Sequence, residues 1–202
     1  MESKYSILKG IPEKHKKNKN TTSIKWKKDI IDFFADKNLN SCLEIGTCTG
    51  MTTKILSSLF KEVHTIEFNK GRYNKAKEIC KDQNNIIFHL GNAYSDLIFK
   101  TNFPKYFDVV VIDCMHLYPY VIADINRALS FFNEDKGIYL VFDDYGHPES
   151  IGVKQAVDQS IKEGLKVEKQ IGEDPGFTVH RDDEGSKFTL IHKEGIILSY
   201  GI

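Results

Sequence analysis

Short apolar segments alternate with amphipathic segments along most of this 202-residue chain, and no other feature constrains the fold as strongly. Each apolar segment has the length of a β-strand and each amphipathic segment that of a helix, so the pattern predicts repeated strand–helix units. Parallel strands joined by helices wind with one hand and form a sheet with helices on both faces. The chain is therefore predicted to be an α/β protein with a Rossmann-like, doubly wound and mainly parallel sheet.

Five strands and the helices between them carry this prediction. The predicted strands are 41–46, 62–68, 85–90, 107–112 and 137–142. The predicted helices are 23–37 (capped by Thr22 or Ser23), 51–59, 72–80, a short helix after Ala93, 118–129 and 153–161. Three further strands are predicted at 165–169, 177–180 and 187–192. The last hairpin would complete a seven-stranded sheet with an antiparallel C-terminal edge strand, which could pair with a second copy in a homo-oligomer.

The charge of the chain is balanced overall but uneven along it. Lys and Arg together number 28, as do Asp and Glu, so no global positive field favours nucleic acid. Residues 1–28 contain nine lysines against two glutamates, and residues 1–21 are predicted to form a flexible basic leader before a single domain at 22–202. No apolar run approaches the roughly 20 residues that span a bilayer, so no membrane anchor is expected.

The cysteines indicate the compartment. Cys42, Cys48, Cys80 and Cys114 lack the spacing of a zinc site or of a disulfide framework. Free, buried thiols are typical of a reducing environment, so a cytoplasmic location is expected.

A turn with two glycines follows the first predicted strand. Gly46 and Gly50 would let the backbone turn tightly and approach a ligand closely. The spacing is neither the G-x-G-x-x-G of dinucleotide-binding folds nor a phosphate-binding loop, which needs Lys and Ser or Thr after its glycines. Glu44 before the glycines suits a ligand with a cationic group and no phosphate, and Thr47 and Thr52 are further candidate contacts.

The next two strands end in residues suited to a nucleoside. Glu67 ends the second strand, where an acid can accept both ribose hydroxyl groups. Asn92 and Ala93 follow the third strand, where a side-chain amide can bond the edge of an adenine ring. A nucleoside with a sulfonium centre has a ribose, an adenine, a positive charge and no phosphate, so it fits this set of residues.

Three carboxylates follow the fourth and fifth predicted strands. Asp113 ends the fourth strand, and Asp143 and Asp144 end the fifth. Because neighbouring parallel strands end at the same edge, these acids should converge, and their mutual repulsion calls for a cation. Hard oxygen ligands suit Mg²⁺, which accepts substrate oxygens in its open positions. Asp113 is also a candidate cofactor contact.

His116 stands three residues after Asp113, at the start of the next helix. A histidine titrates near neutral pH and can remove a proton from a hydroxyl group while a metal stabilises the developing alkoxide. His116 and Asp113 are therefore the candidate catalytic residues.

The segments LEIGTCTGMTT, IEF, LGNA and VVVID, in this order, resemble the motif series of class I S-adenosylmethionine-dependent methyltransferases, and the resemblance covers about residues 41–160. That resemblance implies S-adenosylmethionine (SAM) as the cofactor and methyl transfer as the reaction. IDCMHLYPYVIADI followed by FDDYGHPESIGVKQAV is similar to the metal-dependent sugar O-methyltransferases of the macrocin type. The second resemblance implies that Asp113, Asp143 and Asp144 bind Mg²⁺, that His116 is the base, and that the acceptor is a small-molecule hydroxyl group on a sugar or sugar nucleotide.

Three other functions remain open at this stage. A nucleic-acid methyltransferase could use the basic leader, although amino-methylating enzymes of that class usually carry Asn/Asp-Pro-Pro-Tyr where this chain has Asp113-Cys114-Met115-His116. An NAD-dependent oxidoreductase is weakened by the missing G-x-G-x-x-G. A non-catalytic cofactor-binding protein would have no need to keep Asp113, His116, Asp143 and Asp144 together.

Overall fold

A seven-stranded sheet forms the centre of the molecule. The computed structural model describes residues 4–11, 22–100, 103–173, 177–180, 187–190 and 192–202. The strands are β1 (Ser41–Ile45), β2 (Glu62–Glu67), β3 (Ile86–Leu90), β4 (Val109–Ile112), β5 (Ile138–Phe142), β6 (Lys166–Ile171), β7 (Phe177–His180), β8 (Lys187–Leu190) and β9 (Gly195–Tyr200). The sheet has the order β3-β2-β1-β4-β5-β9-β6, and β1 to β5 run parallel. This architecture confirms the predicted fold class.

Helices cover both faces of the sheet. They are α1 (Ile24–Phe34), α2 (Met51–Leu59), α3 (Lys70–Ile79), α4 (Asp96–Phe99), α5 (Tyr118–Leu129) and α6 (Ile151–Lys162). The central strands β1, β4 and β5 are almost wholly buried because each is covered from both sides, which accounts for their continuous apolar sequences. Two hydrophobic clusters result, one on each face, with α5 and α6 packed in the first and α1 and α2 in the second.

The C-terminal part of the sheet differs from the prediction. Strand β9 pairs antiparallel with both β5 and β6, so the antiparallel strand lies inside the sheet and β6 forms its edge. The predicted strand 187–192 is not that strand, because β8 pairs only with β7 in a separate hairpin. The sheet interior requires a strand buried on both faces, and β9 is buried over its first five residues. Pairing of residues 187–192 across a dimer stays a prediction, now for a strand of the separate hairpin.

The start of α1 is fastened to the start of β9. Ser23, one of the two predicted caps, accepts a hydrogen bond from the Trp26 amide at 2.9 Å. The Ser23 amide donates to Oε1 and Oε2 of the buried Glu194, at 2.9 and 3.1 Å. Further along α1, Asp29 accepts a hydrogen bond from the Gly172 amide at 3.0 Å. Helix α1 is thus held to both ends of the segment that connects β6 with β9.

Part of the predicted leader contacts the domain. The Tyr5 hydroxyl group donates a hydrogen bond to Asp32 of α1 at 2.7 Å, and residues 6–8 form a single 3₁₀ turn. Residues 1–3 and 12–21 of the leader lie outside the described residues. Within the described chain, each helix is too short or too polar to cross a membrane.

Two histidines form a stacked pair at the β2–β3 edge. His64 Nδ1 lies 2.9 Å from His89 Nε2, and His64 Nε2 lies 3.0 Å from Glu62 Oε1. The His89 ring also stacks on Phe103, with the ring centroids 4.2 Å apart. Burial lowers the pKa of His64, and burial together with the neighbouring His64 lowers the pKa of His89 to about 4. Both rings are therefore neutral at pH 7, when one can donate and the other accept.

Acid is expected to destabilise the protein through this pair. Because the folded-state pKa of each ring is lowered, the unfolded chain binds these protons more readily than the folded one. The stabilisation is complete above about pH 6.5 and is lost as the pH falls through about 4, the folded-state pKa of His89. We expect the contribution of this pair to the free energy of unfolding in urea, taken as the wild-type value minus that of His89→Phe, to fall by about 1 to 2 kcal/mol between about pH 7 and pH 4.5, after allowance for partial exposure. The buried carboxyl groups of Glu44 and Asp124, whose pKa values are raised, act in the opposite direction in both proteins and cancel in this difference. An equal pH dependence in both proteins would contradict this origin.

Candidate active site

A cavity of about 700 Å³ opens at the carboxyl ends of β1, β2, β3 and β4. Five of the predicted site residues line it, namely Gly46, Glu67, Asn92, Ala93 and Asp113. This is the edge at which a parallel, doubly wound sheet binds ligands, since the connecting loops diverge there.

The two glycines of the turn after β1 pack closely against other parts of the protein. Gly46 has φ +103°, and a Cβ there would lie 1.8 Å from the carbonyl oxygen of Asp113. Gly50 has φ +83° and precedes α2, and a Cβ there would lie 3.0 Å from the Cβ of Ala76. The sequence predicted that the two glycines permit close approach to a ligand. In the structure their demonstrated role is close approach to β4 and to α3.

Glu44 lies beneath this turn. Its carboxyl group accepts hydrogen bonds from Thr53 Oγ1 at 2.6 Å and from Thr65 Oγ1 at 2.5 Å, and burial raises its pKa to about 8. The Thr47 hydroxyl group lies 2.5 Å from that of Thr65 and extends the network. None of Glu44, Thr47, Gly50 or Thr52 is among the residues that line the cavity, so direct contact of these four with a cofactor stays a prediction.

Glu67 faces the cavity from the end of β2. Its Oε2 accepts a hydrogen bond from the Cys48 amide and its Oε1 one from the Asn69 amide, both at 2.8 Å. These bonds hold the carboxylate in one orientation, while each oxygen keeps a lone pair for a further donor. In the loop after β3, the Asn92 side chain accepts a hydrogen bond from the Tyr94 amide at 3.0 Å.

The His116 imidazole lies between two of the predicted carboxylates. Its Nδ1 is 3.3 Å from Asp144 Oδ2, and its Nε2 is 3.9 Å from Asp113 Oδ1. Ser150 Oγ lies 3.4 Å from the same Nδ1. Asp144 adopts φ +57°, a conformation that is uncommon outside glycine and that clusters at functional sites. The structure thus brings together His116, Asp113 and Asp144 as the sequence predicted.

The described side chains do not form a metal site with the predicted ligands. Among the described residues, no group of three His, Cys, Asp or Glu side chains is arranged to hold a metal ion. The carboxylates of Asp113 and Asp144 face opposite nitrogens of His116, and Asp143 is buried at the end of β5. The predicted Mg²⁺ set therefore does not fit a metal in this arrangement of the side chains.

Several residues that line the cavity were not predicted. They are Cys48, Ile66, Phe68, Asn69, Arg72, Tyr94, Cys114, Met115 and Tyr120. Most stand within two residues of a predicted site residue, so the position of each strand end was a usable signal. Arg72 and Tyr120 come instead from the first turns of α3 and α5, and their orientation depends on how these helices pack.

Comparison with known proteins identifies the family. A family model described as a methyltransferase domain matches residues 43–145, which is more than half of the chain. The chain belongs to this methyltransferase family. The match covers the glycine turn, Glu67, Asp113, His116 and Asp144. The predicted enzyme class, a SAM-dependent methyltransferase, is thereby confirmed, whereas the sugar-specific subgroup stays a prediction.

Solved structures show the same fold in other methyltransferases. A Klebsiella pneumoniae protein provisionally described as an O-methyltransferase has a TM-score of 0.65 at 16% identity, with 90% of this methyltransferase and 82% of that chain covered. TomG, an O-methyltransferase of Streptomyces achromogenes involved in tomaymycin synthesis and solved with SAM, has a TM-score of 0.59 at 17% identity, with 86% and 78% covered. An O-methyltransferase of Bacillus cereus, solved with S-adenosylhomocysteine, has a TM-score of 0.59 at 16% identity, with 86% and 77% covered. No curated protein sequence matches the chain.

Proposed function

We propose that this methyltransferase transfers the methyl group of SAM to a hydroxyl group of a small molecule, either a sugar or a glycosylated metabolite. The observation that carries the proposal is the position of His116, held between Asp144 and a carboxylate, Asp113, that lines the cavity. A base beside the cavity that would hold the cofactor is what a hydroxyl acceptor requires, because the neutral hydroxyl group is a weak nucleophile.

The cavity offers suitable groups for the cofactor. Glu67 is fixed by two backbone amides and can accept the ribose hydroxyl groups with its remaining lone pairs. Asn92 and Ala93 lie in the loop after β3, where they can bind the adenine ring. When bound, SAM supplies an activated methyl group on a positively charged sulfur. The acidic residues Glu67 and Asp113 at the cavity wall suit that positive charge.

His116 is proposed to remove the proton of the acceptor hydroxyl group. Asp144 faces Nδ1 and can accept its hydrogen, which leaves Nε2 as the basic nitrogen. Nε2 is the nitrogen on the side of Asp113 and hence of the cavity. Asp113 can accept a hydrogen bond from the acceptor and orient it. Much of the acceleration then comes from alignment of the acceptor oxygen with the methyl group.

A requirement for Mg²⁺ stays a prediction from the sequence. The Asp113 and Asp144 side chains would have to move away from His116 to bind a metal together. No step of the proposed reaction is therefore assigned to a metal. The nucleic-acid alternative is not favoured, because the chain has no net charge and carries Asp113-Cys114-Met115-His116 where amino-methylating enzymes of that class usually have Asn/Asp-Pro-Pro-Tyr.

Calorimetric titration and a methyl-transfer assay test the proposal. We expect the protein to bind SAM and S-adenosylhomocysteine but not NAD. Labelled methyl groups should reach sugar or glycosylated acceptors, and EDTA should stop transfer if Mg²⁺ is required. Binding of NAD without binding of SAM would overturn the proposed cofactor. Full activity in EDTA would rule out the metal and leave the role of His116 intact.

A further inference from the structure

A carboxyl group that the proposed reaction does not use is buried beside the cavity. Asp124 lies on the inner face of α5, only 1% exposed, on a face that it shares with Val121, Ile125 and Ala128. Its Oδ2 accepts a hydrogen bond from the Tyr94 hydroxyl group at 3.2 Å. A buried carboxyl group on an apolar helix face is unfavourable unless it is hydrogen-bonded, so the bond from Tyr94 stabilises Asp124 in this position.

The partner of Asp124 belongs to the wall of the cavity. Tyr94 lines the cavity together with Cys114 and Tyr120, and the rings of Tyr94 and Tyr120 pack with their centroids 4.8 Å apart. Tyr94 comes from the loop after β3, Cys114 from the loop after β4, and Tyr120 from α5. The hydrogen bond that the Tyr94 hydroxyl group donates to Asp124 therefore connects the loop after β3 with α5, which begins beyond the loop after β4.

The protonation of these groups agrees with a lasting bond. Burial raises the pKa of Tyr94 well above its usual range, so the hydroxyl group keeps its proton and donates it. Burial raises the pKa of Asp124 to about 7, and the bond from Tyr94 works against that rise. The Cys114 thiol beside the Tyr94 hydroxyl group is also held protonated, because burial raises its pKa to about 11.

We infer that Asp124 is a positioning residue for the cofactor: by holding the Tyr94 hydroxyl group, it fixes the Tyr94 and Tyr120 rings as an aromatic wall for the adenine base of SAM. Aromatic side chains offer flat faces on which a base can stack. Asn92 and Ala93, the proposed adenine contacts, directly precede Tyr94 in the same loop. The inference rests on the proposed function, since it presupposes that SAM occupies this cavity.

Matched variants separate positioning from general stability. Asp124→Leu and Tyr94→Phe each remove the hydrogen bond, and we expect each to raise the Kd for SAM about tenfold. The kcat at saturating SAM and the KM for the acceptor should change less than about threefold. Asp124→Asn keeps an oxygen that can accept the Tyr94 hydrogen and should restore most of the affinity. Ile125→Ala, the control, empties a neighbouring core position on α5 and should lower Tm without a change in the Kd for SAM.

Each other outcome of this experiment has a defined meaning. If the wild-type protein does not bind SAM, the proposed function fails and the inference fails with it. If the wild-type protein binds SAM and the Asp124 and Tyr94 variants bind it equally well, only the inference is overturned. The inference also fails if Ile125→Ala weakens SAM binding as much as Asp124→Leu does, or if Asp124→Asn behaves like Asp124→Leu.

Discussion

His116→Gln is expected to lower kcat about 10²- to 10⁴-fold, which is the contribution that a positioned general base usually makes. The glutamine side chain keeps polar groups near Asp113 and Asp144 but cannot take up a proton at neutral pH. The Kd for SAM should remain within about twofold of the wild-type value, because His116 does not line the cofactor cavity. Single-turnover kinetics at saturating SAM, with calorimetry for the Kd, would measure the two effects separately.

A second histidine variant provides the control for this experiment. His89→Phe alters the ring pair at the β2–β3 edge, away from the cavity, and should keep the wild-type kcat at about pH 7.5. The kcat of Asp144→Asn should lie between those of His116→Gln and His89→Phe, because the asparagine keeps an acceptor for His116 Nδ1 but removes the negative charge. A wild-type kcat in His116→Gln would contradict the assignment of the base.

Of the substitutions that add one methyl group to the glycine turn, Gly46→Ala is expected to lower the stability of the fold the most. Its Cβ would lie 1.8 Å from the carbonyl oxygen of Asp113, a backbone atom that cannot yield without displacing the end of β4. We expect a loss of at least about 3 kcal/mol in the free energy of unfolding, since steric overlap adds to the left-handed backbone conformation. The Kd for SAM should rise at least about tenfold, because Gly46 and Asp113 both line the cavity.

Gly164→Ala is the matched control for Gly46→Ala. Gly164 also has a left-handed backbone, φ +119°, but a Cβ there meets no atom within 4 Å. Its substitution should therefore cost only about 1 to 2 kcal/mol of conformational strain and leave SAM binding unchanged. Chemical denaturation and calorimetry on the two variants would isolate the contribution of the close approach. Equal losses in both would show that backbone conformation alone, and not the contact with Asp113, requires glycine at position 46.

The strand–helix alternation predicted the fold well because β1, β4 and β5 are short, continuous and apolar. Such a strand can be stable only between two layers of helices, so its sequence determines its place in the sheet. The order of the C-terminal strands depends on longer-range pairing. Residues 187–192 and 195–200 both contain apolar runs, and only burial between β5 and β6 decides which one joins the sheet.

The sequence predicted where the candidate site lies in the fold more accurately than it predicted what each side chain contacts. Glu44 and Glu67 both stand near strand ends before a turn, yet Glu44 is bonded to Thr53 and Thr65 whereas Glu67 faces the cavity. The direction of a side chain at a strand end depends on the packing of the following helix, which a local pattern does not contain. Asp124 was missed for a related reason. It stands on a face of α5 that is otherwise apolar, and its hydrogen-bond partner Tyr94 lies 30 positions earlier in the chain, so no local pattern connects the two.

Ile171, the last residue of β6, pairs with Gly195, the first residue of β9, so the chain leaves the sheet and re-enters it at adjacent positions. That point is closed from the other side by α1, through Asp29 to the Gly172 amide and Ser23 to Glu194. Whatever the chain does between these anchors, the ends of β6 and β9 stay at the same separation. The register at this end of the sheet is therefore held by contacts outside residues 174–191, so a change of length or sequence within that segment is expected to leave the sheet that carries the cavity in place.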